Sequence, residues 1–127
     1  MKTIKVSEAT NLQLDWLVAK CEGARLGAVK TSGGPKAVVL NASWDGDVDL
    51  PVPTYTTDPS QMWPIIDREG IGTDPKGGVW SATRYSCETP EWAWMNTQHG
   101  ETSLIAAARC YVISKLGETV EVPEELT

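Results

Sequence analysis

A chain of 127 residues, 41% hydrophobic and 22% charged, has the size and balance of one globular domain spanning 1–127 and leaves little room for a second. Seventeen acidic against eleven basic residues give a net charge of -6 and a pI near 4.7, which argues against a general duplex nucleic-acid binder or a basic membrane-surface protein. The aromatic content is unusual: six Trp and three Tyr with no Phe, so ring surface arrives on side chains with a polar handle.

Met1 to Val6 lacks the apolar h-region of a signal peptide, and no 18-residue apolar run exists to span a membrane. Residues 2–6 read as a short opening strand, and Thr10 and Asn11 as N-caps for a helix from Leu12 to Glu22, stopped at Gly23. Leu14, Leu17, Val18 and Cys21 keep helical spacing, which predicts a helix packed on one face. Arg25–Val29 and Lys36–Leu40 read as paired strands across the turn Thr31-Ser32-Gly33-Gly34-Pro35. Asn41 to Pro59 reads as a loop, and Asp58-Pro59 as the cap and first residue of a short helix ended by Gly70. Gly72 to Gly78 is turn-rich, Val79 to Tyr85 alternates as a strand, and a polar loop holding Trp92, Trp94 and His99 follows. Thr102 caps the strongest helix, Ser103–Leu116, with its stripe on Leu104, Ala108, Tyr111 or Val112, and Lys115 with Leu116. The remainder is an acidic tail. The fold expected is α+β, a small and mostly antiparallel sheet of about four strands with two main helices on one face.

Catalytic signatures are thin. Cys87 with His99 is the one nucleophile–base pair on offer, and neither stands in a recognisable motif. Asp45, Asp47 and Asp49 begin like a calcium loop, but Leu50 stands where the turn needs Gly and Thr56 where a bidentate Glu belongs. Neither a metal site nor a cofactor motif is expected, and no catalytic residue is assigned. Cys21, Cys87 and Cys110 form no CxxC pair; Cys21 and Cys110 fall on apolar helix faces, which implies buried free thiols and a reducing cytosol. Gly33-Gly34 offers either a plain hairpin turn or a backbone nest for an anion.

The Trp and Arg residues carry more. Trp63 with Arg68 share a short helix, and Trp80 with Arg84 share one strand face. An aromatic plane beside a guanidinium suits a flat anionic ligand such as a nucleotide, by stacking and bidentate phosphate contact. Core packing is an adequate account of Trp16, Trp63 and Trp80 taken singly. Trp44, Trp92 and Trp94 in loops point instead to a pocket or a protein interface.

Three segments carry a family resemblance. Lys2-Thr3-Ile4-Lys5-Val6-Ser7-Glu8 leading into Leu14-Asp15-Trp16-Leu17-Val18, then Trp63-Pro64-Ile65-Ile66-Asp67-Arg68-Glu69-Gly70, then Leu104-Ile105-Ala106-Ala107-Ala108-Arg109-Cys110-Tyr111 resemble the NinX family of tailed-phage and prophage accessory proteins. The resemblance implies phage origin and action in the bacterial host cytoplasm, and it supplies no activity. Two readings follow. One is a non-enzymatic counter-defence protein that sequesters a nucleotide-derived immune signal through Trp63, Arg68, Trp80 and Arg84, with Gly33, Gly34 and the loop tryptophans as further contacts. Sequestration favours a homo-oligomer with composite pockets. The alternative is an inhibitor that binds a host protein through a Trp-rich surface.

Overall fold

The computed structural model describes residues 1–39, 50–84 and 97–127. Local signals place its three helices. Thr10 begins α1 (Asn11–Cys21) with a reciprocal capping box, its hydroxyl accepting from the Gln13 amide while the Gln13 side chain accepts from the Thr10 amide. Asp58 caps α2 (Pro59–Glu69) and Gly70 closes it in the left-handed region at φ 65°. Thr102 caps α3 (Ser103–Leu116), its hydroxyl accepting from the Ile105 amide. Pro64 lies inside α2 rather than in its first turn, on the exposed side, and the helix continues through it.

The β structure is divided more than the sequence suggests. Eight strands among the described residues form three separate antiparallel sheets rather than one sheet of about four strands. β1 (Lys2–Lys5) pairs with β8 (Thr119–Val122), so the segment expected as an acidic tail is a strand whose Val120 and Val122 turn inward. β2 (Leu26–Thr31), β3 (Gly34–Val39) and β4 (Leu50–Pro51) make the second sheet, β4 falling in the expected loop. β5 (Ile71–Lys76), β6 (Val79–Arg84) and β7 (Thr97–Gly100) make the third.

β5 occupies the stretch expected to be turns. Its Pro75 is tolerated because β5 is an edge strand, where the missing N–H interrupts no inner ladder. Only Gly77-Gly78 forms the turn, both with positive φ (57° and 89°), the conformation that a two-residue hairpin requires. His99 likewise belongs to a strand, β7, rather than to a loop.

Burial explains the division. α3 contacts α1 and α2 as well as β5, β6 and β7. Its run from Ile105 to Ala108 is buried without a break, as are Cys110, Tyr111 and Val112. A helix enclosed on several sides has no single stripe, so the expected one is corrected, with Leu116 37% exposed at its end. α1 departs in the same way from the one-face expectation, because Gln13 through Ala19 are all buried between α3 and the β2–β3–β4 sheet. The small Ala side chains let α3 approach the third sheet closely. At Gly100 of β7 a Cβ would lie 2.7 Å from the Ala106 amide nitrogen and 2.8 Å from Ile105 Cγ2. Two buried polar ties hold the remaining connections. Asp15 accepts from both the amide and the hydroxyl of Thr56 at 2.9 Å, and the Gln13 side-chain amide donates to the Leu126 carbonyl at 3.0 Å.

Candidate functional site

Arg68, in the last turn of α2, and Arg84, at the end of β6, converge on one carboxylate. Arg68 donates to both oxygens of Glu22 at 3.0 and 2.7 Å through its two Nη atoms, and its Nε donates to Glu69 Oε2 at 3.0 Å. Arg84 sets Nη2 3.1 Å from Glu69 Oε1 and donates Nε to the Glu69 backbone carbonyl at 3.3 Å. Lys115 Nζ stands 3.4 Å from the same Oε1. That oxygen has no hydrogen bond of good geometry and is held by the two cations as charge partners. The Tyr111 hydroxyl donates to Glu22 Oε2 at 2.6 Å and accepts from Arg68 Nη2 at 3.1 Å.

Electrostatics follow this wiring. The Arg68 hydrogen bonds, foremost among its surroundings, hold the Glu22 carboxyl below its usual range. Burial pushes Glu69 upward, but the hydrogen bond from Arg68 with the ammonium of Lys115 and the charge of Arg84 outweigh it, and Glu69 settles lower than usual. Burial and the adjoining Glu22 raise the Tyr111 phenol. The partners Glu22, Glu69, Tyr111 and Lys115 were not foreseen from the sequence, since Glu22 and Arg68 are 46 residues apart and nothing local joins them.

The aromatic residues separate. Trp63 is 54% exposed on α2, beside the buried face formed by Met62, Ile65 and Ile66. Five helical positions from Trp63 to Arg68 amount to roughly 140° of rotation, so ring and guanidinium do not share a face. Trp80 is half-buried, packed against the core, and opposes Pro75 and Gly100 in its sheet. Trp16 is buried with the Lys20 ammonium 5.4 Å from its ring centroid. Gly33 sits in a hairpin turn, its amide donating to Thr31 Oγ1 at 3.2 Å, while Gly34 pairs with Thr31. The hairpin thus uses the amide that an anion nest at Gly33 would need. Trp44, Trp92, Trp94, Cys87 and the Asp45–Asp49 triplet lie outside the described residues. Among the described residues no three His, Cys, Asp or Glu side chains gather to hold a metal. Cys110 is fully buried and Cys21 only half-buried, which departs from the expectation for Cys21.

One further cation is placed differently. Arg109 of α3 donates Nη1 to the His99 carbonyl at 2.7 Å and Nη2 to the Ala9 carbonyl at 3.2 Å, and its buried Nε has no partner among the described residues. Burial lowers its pKa, and the Glu101 charge works against that drop. It borders an open groove of about 300 Å³ shared with Ser7, Gln98, His99 and Glu101. A second groove of about 340 Å³ adjoins it through Ser7 and Gln98 and continues past Lys5 and Glu118.

With three helices and three small antiparallel sheets among the described residues, the chain is a small α+β protein. The family described as "Bacteriophage P22, NinX" matches residues 5–115, and the chain belongs to that NinX family of phage accessory proteins. The comparison with curated proteins found no match. No helix among the described residues is long and apolar enough to cross a membrane.

Proposed function

We propose that this phage accessory protein acts without catalysis in the host cytoplasm, inhibiting a host protein that it grips through the face of α2 bearing Trp63. The observation that supports this reading is Trp63 itself, 54% exposed on a helix that Met62, Ile65 and Ile66 anchor in the core. A Trp ring on a rigid element contributes more binding energy per residue than almost any other contact. Ser60, Pro64 and Asp67 surround it and are exposed, and with the net charge of -6 they favour a partner whose facing surface is basic. Stacking and phosphate contact by Trp63 with Arg68, or Trp80 with Arg84, has less support, because both guanidiniums would have to leave Glu22 or Glu69.

Affinity capture from infected cells tests the reading. The wild-type protein should recover one dominant host protein, and Trp63→Ala should lose it while keeping wild-type thermal stability. Equal recovery by the variant, or no dominant partner, would overturn the proposal. A second reading, sequestration of a nucleotide-type immune signal such as a cyclic oligonucleotide or an ADP-ribose derivative, draws on the Arg109 groove. Calorimetry against such nucleotides checks it; the bound ligand should return unaltered on denaturation, and its turnover would indicate an enzyme instead.

A further inference from the structure

Arg109 stands out because the chain has acid to spare and does not place it there. Arg68 and Arg84 both bind carboxylates directly. Arg109 is partly buried, yet among the described residues no carboxylate lies within ion-pair distance of it, and two backbone carbonyls alone receive its hydrogen bonds. Carbonyl dipoles satisfy donors but do not cancel a full charge, and a cation partly removed from water without a counter-charge is destabilising. A guanidinium has five N–H donors. The carbonyls of His99 and Ala9 account for two. Part of the remaining fork borders a groove rather than packed core.

The surroundings of that groove suit an oxyanion. Ser7 brings a hydroxyl, Gln98 a carboxamide, and His99 an exposed imidazole on β7. These groups donate hydrogen bonds without adding negative charge. Among the described residues, Glu101 is the one acidic residue on the rim. Its charge supports the Arg109 cation from a distance, and it would oppose an incoming anion.

We propose that the groove beside Arg109 is a binding site for a small oxyanion, a carboxylate or a phosphate monoester, with the Arg109 guanidinium as its charge partner and Ser7, Gln98 and His99 as further donors. The site requires only an anionic group of the right size and is independent of any partner at Trp63. It gives a nucleotide-type ligand a phosphate anchor at a position other than the two Trp–Arg pairs.

The test is a titration of the isotopically labelled full chain with inorganic phosphate and, separately, acetate at constant ionic strength, followed by NMR at the Arg109 Nε–H and the amides of Ser7, Gln98 and Gly100. Saturable shifts confined to the groove are expected. Saturation by phosphate alone assigns a phosphate ester and saturation by acetate alone a carboxylate. Glu101→Gln leaves the two carbonyl contacts of Arg109 intact and should tighten binding about threefold, the size of one screened like-charge repulsion. Arg109→Gln should abolish it if that variant folds. Trp63→Ala should leave it unchanged, which separates this site from the α2 surface. Shifts that grow linearly, that chloride reproduces, or that Glu101→Gln fails to strengthen would overturn the proposal.

Discussion

Replacing Glu69 by Gln removes one charge and keeps the shape of the side chain, which isolates the electrostatics of the Arg68–Arg84–Lys115 cluster. Three cations depend on this carboxylate, at 3.0, 3.1 and 3.4 Å. Their exposure limits the loss. Arg68, Arg84 and Lys115 remain 51%, 35% and 42% exposed and can rehydrate, whereas Glu69 is only 10% exposed. Arg68 also keeps its two bonds to Glu22, and Arg84 keeps the backbone carbonyl of residue 69. At the 0.2–1 kcal/mol typical of a solvent-screened pair, the loss at pH 7 should be about 2 kcal/mol, or roughly 6 °C in Tm. The pH dependence carries the argument. Because Glu69 titrates lower in the folded chain than the unfolded value near 4.3, its stabilisation is fully present above that pH and fades as pH falls through the folded value. Urea unfolding of both proteins at pH 7 and pH 3 is the assay. The deficit of the variant should be largest at pH 7 and shrink as pH falls from 5 towards 3. A deficit of the same size at pH 3 as at pH 7 would mean lost packing and refute the charge account; a deficit absent at pH 7 would mean that the cluster is fully screened.

Three further outcomes are expected. Gly100→Ala should destabilise by roughly 2 kcal/mol in chemical denaturation, since the new methyl meets the Ala106 backbone and cannot be relieved by a rotamer change. Asp15→Ala strands the Thr56 amide and hydroxyl in a buried site and should be destabilising by about 2–3 kcal/mol; Asp15→Asn, which keeps an acceptor, should lose less. The Cys110 thiol, which burial pushes up to about 11, should resist alkylation at pH 8 until the chain unfolds, as read by mass analysis of the peptide that contains it.

What was legible in the sequence was local chemistry. Thr10, Asp58 and Thr102 announce their helices because a cap acts over three residues, and Gly70 announces a stop because few other residues take positive φ without strain. β5 escaped notice because Pro75 argues against a strand unless its place at a sheet edge is known. β8 escaped because its alternating Val120 and Val122 are embedded among acids. At the candidate site the arginines were visible but not their commitments. That Arg68 and Arg84 are neutralised, and that Arg109 is not, depends on Glu22, Glu69, Ala9 and His99 arriving from distant parts of the chain. Trp63 shows the same limit: helical spacing places it off the Met62–Ile65–Ile66 face, but only the packed structure shows that nothing described covers most of its ring.

The pairing of Lys2 with Val122 has a consequence for how the chain is made. β1 cannot find its partner until β8 has been added, so their sheet closes after α1, α3 and the third sheet have had time to assemble. Linking β8 to β1 by a short peptide and reopening the chain at Ser32-Gly33 would turn that late contact into a local hairpin. Such a permuted chain should reach the same structure faster, with the order of assembly changed and the contacts preserved.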